Sequence, residues 1–377
     1  FVTFKGIFGN HLYYTNDGGA SWTQTSNMDE QNPDGWVAGS IFGWRANLSG
    51  TDDASAPIAF HPTDQNIALV AGWGNVIKKT TDGGVTWKYS NTGYTGALAG
   101  MISGPSPIGW DANNAHRASF SHSDFGTLMT ANGEDTFTSV MSASYAASGN
   151  KSATHAIAMN GNNIVEIVGQ YGPVSVFVSR DSGISWTDTG ATHSTDMDFV
   201  SFHPQNPSIV YAGKYRFDDI GASNTYVNVA RRVNGIFKGN GDIVYAHDGN
   251  STVYKSIDKG ASWTSPYPSL NLPSGYGIAE IAIDPIDQNR IYAAVKGKGV
   301  YIINNTTVNG GAPVLKNDAN GLALDQFAGN NMSSVAVDPN DARTVYAGAT
   351  AGWVGYSNGV FRSTDKGADR LRQRQPR

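Results

Sequence analysis

The tract SHSDFG (121–126) sets one carboxylate, Asp124, between Ser123 and Phe125 and two residues ahead of Gly126, the composition of a tight turn that holds a side chain up. A carboxyl presented in this way can give or take a proton. Cleavage of a glycosidic bond needs two such groups, one to protonate the leaving oxygen and one to act as base or nucleophile. Partners for Asp124 are Asp111 in GWDANN and Asp218 or Asp219 in YRFDDIG, followed by Asp52 and Asp53 in GTDDASAP. Flat aromatic side chains occur in loop-like contexts: Trp73 in GWGN, Trp353 in AGWVGYSNG, Tyr171 in GQYGP, Tyr215 in GKYRFDD, and Trp36, Trp44 and Trp110 in long connections. Such rings freeze few rotors and stack on the CH faces of sugar rings. A second chemistry is also written here. AHRASFSH supplies His116, Arg117 and His122, and Tyr215 and Arg216 adjoin one another, so an arginine that neutralises a sugar carboxylate beside a His or Tyr base would suit a polysaccharide lyase. His61 and His203 both precede a proline in a turn phrase and read as structural. No His/Asp/Glu group has metal-ligand spacing, and the chain calls for no metal and no cofactor.

The elements that must carry these residues follow from an internal repeat. TNDGGASW (15–22), TTDGGVTW (80–87), SRDSGISW (179–186) and SIDKGASW (256–263) share Ser/Thr-x-Asp-x-Gly-x-Ser/Thr-Trp. TANGEDTF (130–137) and STDKGADR (363–370) are decayed copies, and IINNTTVNGG (302–311) keeps only the spacing. A second phrase recurs as IAFHPTDQNIALVAG, VSFHPQNPSIVYAG, IAIDPIDQNRIYAAV and VAVDPNDARTVYAGA: an alternating apolar strand, a turn, and another strand. Each unit therefore holds four strands. Unit starts about 50–75 residues apart predict an all-β propeller of four-stranded antiparallel blades, seven of them, or six if both chain ends share a blade.

The repeat serves as a ruler. If the eight-residue motif marks the turn from third to fourth strand, the second-to-third turns and the connections between blades lie at the opposite face. Trp44, Trp73, Trp110, Trp353, Tyr171 and Tyr215 are then expected there together, with Asp124 in the second-to-third turn of the third blade, Asp111 in the neighbouring connection, and Asp218 opening an expanded second-to-third loop.

The repeat resembles the Asp-box, or BNR, motif of sialidase-like and xyloglucanase-like propellers. HSDFGTLM, followed by SATHAIAMNGNNIVEIVGQYGPVSVFVSRDSGISW, is similar to the glycoside hydrolase family 74 xyloglucanases. That resemblance implies a catalytic role for Asp124, with Gly126 as its turn glycine. The family has two propellers with one catalytic Asp from each, whereas this chain supplies one.

Composition narrows the partners. A net charge of −5 and the lack of a basic block outside RLRQRQPR exclude a nucleic-acid partner. No apolar run reaches the roughly 20 residues that span a bilayer, so no membrane partner is expected. With no cysteine there is neither disulfide nor thiolate chemistry. Residues 1–369 are expected to form one propeller domain, with 370–377 a basic tail outside the fold. The chain, which starts at Phe1 without Met, reads as a processed or truncated form. The resulting expectation is a secreted, monomeric glycoside hydrolase acting on a β-linked polysaccharide. A non-catalytic propeller that binds glycan or protein through the same face is the alternative of another class.

Overall fold

The computed structural model describes most of 58–90, 108–140, 154–193 and 199–304, together with 331–350, 359–367 and short pieces at 2–6, 9–15, 17, 21, 23–24, 314–316 and 372–374; within these, 73–75, 112, 123–125, 131–137, 170–172, 268 and 296–297 are not described. All regular structure among the described residues is β-strand, laid down as antiparallel meanders. The chain divides into two compact units, one mainly Gln24–Asn228 and the other mainly Val229–Arg377.

The first unit contains meanders at 58–89, 108–139, 154–193 and 200–228, each a four-strand succession. Two of them are joined into one eight-stranded sheet, because the first strands of each, Ile108–Asp111 and Thr154–Asn160, run parallel and pair at Asp111 and Met159. That pairing sets both meanders in the same direction. The second unit contains meanders at 235–256, 278–316 and 331–374; in the first of these a bridge between Lys255 and Thr264 supplies the fourth-strand position.

Strand alternation fills the space between neighbouring sheets. Along Asn163–Val168, Val165 and Ile167 pack with Val200, Val210 and Phe217 of the next meander. Ile164 and Val168 point the other way and pack with Met129 and Phe177. In the second unit, Ile291, Ala293 and Val295 cover Tyr245 and Val253, whereas Tyr292 and Ala294 join Val345 and Phe361. These two sheets are thus apolar on both faces, the composition expected of a sheet stacked between two others.

The eight-residue repeat builds one turn four times. In the copy at 80–87, the Asp82 carboxylate accepts the Thr86 N–H at 2.9 Å through Oδ1 and the Thr86 hydroxyl at 2.5 Å through Oδ2, while Thr80 donates its hydroxyl to Asp82 and accepts the Gly84 N–H, both at 2.8 Å. Asp181 and Asp258 repeat the same set, and Asp17 binds Ser21 in the same two ways. These bonds hold the Asp181 and Asp258 carboxyls down at about 2, the hydrogen bonds from Ser185 and Ser256 being the leading causes. The closing Trp186 and Trp263 donate their ring N–H to the carbonyls of Val140 and Val229. All of this is local turn and packing work, as the repeat itself implied.

The turn between first and second strands uses a matching device. His61 and His203 accept two backbone N–H groups each through Nδ1, and Asp284 and Asp338 accept two each through Oδ1. Histidine and aspartate are interchangeable here because only an acceptor in that place is required.

Two expectations are corrected. The expanded second-to-third loop expected to open at Asp218 is not one: the chain from Val200 to Thr264 holds two meanders. The first has a third-to-fourth connection, DDIGASNT (218–225), closed by Ala222 and Ser223 N–H groups on the Asp219 carbonyl, so it carries none of the repeat's letters. The basic tail was expected to lie outside the fold, yet Arg372–Arg374 forms a strand antiparallel to Val360–Arg362. Backbone pairing needs no particular side chains, which is why Arg and Gln could fill it.

Candidate functional site

The second strand of the 108–139 meander, Asn114–His122, turns back into the third, Gly126–Thr130, with His122 opposite Gly126. Asp124 belongs to the three-residue connection between them and lies outside the described residues, as does the His122 side chain. The equivalent connection of the 154–193 meander joins Val168 to Val174 and contains Tyr171, also outside the described residues. Because the two meanders run in the same direction, both connections leave the sheet at one end. Trp73 falls in the matching connection of the 58–89 meander, between Gly72 and Val76, and Trp353 between Thr350 and Gly359 in the second unit; neither is among the described residues. Trp36, Trp44, Asp52 and Asp53 are likewise outside them.

Asp111 stands elsewhere. It was expected in a connection beside Asp124, but it closes the strand Ile108–Asp111, opposite Asn114, and so sits at the far end of the sheet. The eight steps from Asn114 to His122 span about 26 Å at roughly 3.3 Å per residue. Asp111 is fully buried there, taking the Arg117 guanidinium at 2.7 Å and the backbone N–H groups of Asn113 and Gly161 at 2.9 Å each. Arg117 also donates to the Gly161 carbonyl at 2.7 Å, so the pair clamps two adjacent meanders together. Trp110, one residue earlier, is in that strand too and meets His61 edge to face at 4.9 Å, its ring N–H buried without a partner. A GWD run preceded by gapped glycines looks like loop; the structure makes it a strand because Ile108 and Trp110 pair with Phe120 and Ala118.

Asp218 is also displaced. It follows the third strand, Tyr215–Phe217, and therefore stands at the third-to-fourth end, exposed and forked by Arg216 at 2.7 and 3.0 Å. Tyr215 occupies the expected end, directly after a two-residue turn, but its ring enters the core at 6% exposure and its hydroxyl donates to the Thr192 carbonyl. Burial pushes that phenol up. Tyr215 and Arg216 are thus committed to packing and to an ion pair instead of offering a platform. The lyase grouping separates in the same way. His116 and His122 are six steps apart on one strand, about 20 Å, and Arg117 belongs to Asp111.

One acid outside the expected set is bonded to the strand that follows the Asp124 connection. Glu166, in the middle strand Asn163–Val168, is fully buried between Ile157 and Phe177. Its Oε2 accepts the Thr127 hydroxyl from the neighbouring meander, and its Oε1 has no partner. Burial in this apolar seam pushes the carboxyl from an ordinary 4.5 up to about 8. Its only sequence signal is a charge inside an otherwise apolar run, NIVEIV. In the second unit, burial and the nearby Arg232 push His247 down to about 4, and its Nδ1 accepts the Gly249 N–H at 3.1 Å.

No protein-family model matches the chain. Among curated proteins, xyloglucanase Xgh74A of Acetivibrio thermocellus is 32% identical over 139 residues, which is 33% of this chain and 15% of that protein. A xyloglucanase of Hypocrea jecorina is 28% identical over 178 residues, 45% of this chain and 16% of that protein. The chain thus spans a small part of the length of the curated relatives it matches. Among solved structures, the GH74 xyloglucanase from Xanthomonas campestris superposes with a TM-score of 0.54 at 15% identity, over 95% of this chain and 49% of that one. YCF48 from Cyanidioschyzon merolae gives 0.52 at 13% identity over 84% and 97%, and YCF48 bound to D1 peptide gives 0.52 at 13% over 82% and 92%. Part of the sequence is therefore similar to xyloglucanases, and the fold is all-β with β-propellers as its structural neighbours.

Proposed function

We propose that this chain is a propeller of the glycoside hydrolase kind, holding a β-linked glucan at the end of its sheets where second strands turn into third. The observation that carries this reading is the partial sequence similarity to xyloglucanases. Asp124 is the acid or base of the reaction. Trp73, Tyr171 and Trp44 supply the flat surfaces on which sugar rings stack, and His122, at the strand end beside the turn, hydrogen-bonds a sugar hydroxyl. Since Asp111 and Asp218 stand at the other end of their sheets, the opposing carboxyl in this reading is Asp52 or Asp53, both of which precede the first strand Ile58–Phe60 in the sequence. The polymer is too large to cross a membrane, so the protein works outside the cell.

Xyloglucan incubated with the wild-type protein is expected to gain new reducing ends, and Asp124→Asn to lose at least about 100-fold in that rate with an unchanged melting temperature. An Asp124→Asn protein as active as wild type would sink the assignment. A second reading rests on the likeness to YCF48 bound to D1 peptide: the same loops seat a polypeptide or glycan without cutting it. Retained binding with no new reducing ends on any glucan of a panel would favour it.

A further inference from the structure

Glu166 has no evident structural reason to be an acid. Its strand neighbours on the same face, Ile164 and Val168, pack with Met129, Ile157 and Phe177, and a valine at 166 would complete that apolar seam. A buried carboxyl with one hydrogen bond and one orphan oxygen is instead destabilising, and groups kept at such a disadvantage concentrate where function needs them. The single partner is informative. Thr127 lies on the facing meander and is the second residue after the Asp124 connection, in the strand whose first residue, Gly126, pairs with His122. Gly126–Thr130 and Val174–Ser179 have no titratable group; those of the other strands of this sheet are His155 on Thr154–Asn160, His116, His122 and the Asp111-bound Arg117 on Asn114–His122, and Asp188 and His193 on Thr187–His193.

Building on the Asp124 reading above, we propose that Glu166 is a positioning residue for that site: as a neutral acid it holds Thr127, and through Thr127 the strand end that carries the Asp124 turn. Ionisation of Glu166 would put an unpaired charge into the seam and release this hold, so the site works only while the proton is in place. The raised pKa of Glu166 agrees with a neutral acid at working pH.

Three variants test this on xyloglucan between pH 5 and 9.5. Glu166→Val is expected to raise the melting temperature while lowering kcat about tenfold with KM within about twofold, a combination that a purely structural residue does not give. Thr127→Val should lower kcat similarly. The wild-type rate is expected to decline above about pH 8, and Glu166→Gln, which keeps a carbonyl for Thr127 but cannot ionise, should hold wild-type kcat at pH 6 and lose that decline. Wild-type kcat in Glu166→Val, or an unchanged alkaline decline in Glu166→Gln, would overturn the proposal. If wild type and Asp124→Asn release reducing ends equally, the hydrolase reading fails by itself. The hold of Glu166 is then read from amide hydrogen exchange at Gly126 and Thr127, expected about fivefold faster in Glu166→Val; equal exchange overturns it.

Discussion

Single residues here divide sharply by what they touch. Asp111 looks like a catalytic candidate in the sequence, yet it is fully buried and spends both oxygens on Arg117, Asn113 and Gly161. Asp111→Ala would leave the Arg117 guanidinium buried without its counter-ion, and a loss of about 3–5 kcal/mol in urea denaturation is expected, with kcat of the folded fraction unchanged. Glu166 is the opposite case, an acid that lowers stability at neutral pH. Its folded-state pKa lies above the unfolded one, so the folded protein holds an extra proton between pH 4.5 and about 8. Stability contributed by that proton is complete below this window and falls as pH rises through it. Denaturation midpoints of the wild type should therefore decline across this range, by up to a few kcal/mol in total, relative to Glu166→Gln, measured in parallel to cancel other titrations.

At the level of elements, the repeated turn couples backbone handedness to packing against the neighbouring segment. Gly260 has φ of +83°, and a Cβ there would stand 2.8 Å from the Val229 Cβ. Gly249 has a similar φ of +74° but open space around it. Gly249→Ala should thus cost about 1 kcal/mol, the left-handed penalty alone, whereas Gly260→Ala should cost roughly 2–4 kcal/mol because Val229 must also shift. Chemical denaturation of the two variants side by side checks the difference; equal losses would mean that the turn glycine serves conformation only. The connection at 218–225 shows that a meander can do without this turn, closing through the Asp219 carbonyl and the buried Ile220 instead.

For the molecule as a whole, the proposed site draws on loops from several meanders, and occupancy should be felt as global stability. Asp124→Asn, unable to cut but able to bind, should gain about 2.7 kcal/mol at a ligand concentration 100-fold above Kd. Thermal unfolding with and without a xyloglucan oligosaccharide measures this; no shift would mean that the chain does not bind the glucan. A shift in this variant together with new reducing ends from the wild type is the outcome the hydrolase reading requires, whereas a shift without new reducing ends leaves a protein that binds and does not cut.

The sequence alone determined what depends on local backbone chemistry. Ser/Thr-x-Asp-x-Gly-x-Ser/Thr-Trp closes its hydrogen bonds within eight residues, so the turns at Asp82, Asp181 and Asp258 follow directly from the letters, as do the His61 and Asp284 turns and the all-β class. Tertiary structure decided what depends on register and on facing sheets. Whether GWD at 109–111 is loop or strand turns on pairing with Ser119, Ala118 and Asn114, and whether Asp111 and Asp124 share an end turns on the direction of one strand. The two meanders between Val200 and Thr264 were hidden because one connection lacks the repeated letters, and the strand at Arg372–Arg374 because backbone pairing leaves no mark on side-chain composition. Glu166 is one charge in an apolar run until Thr127, 39 residues away, is folded against it. A side chain's chemistry is set by its surroundings, and for these residues the surroundings come from other strands.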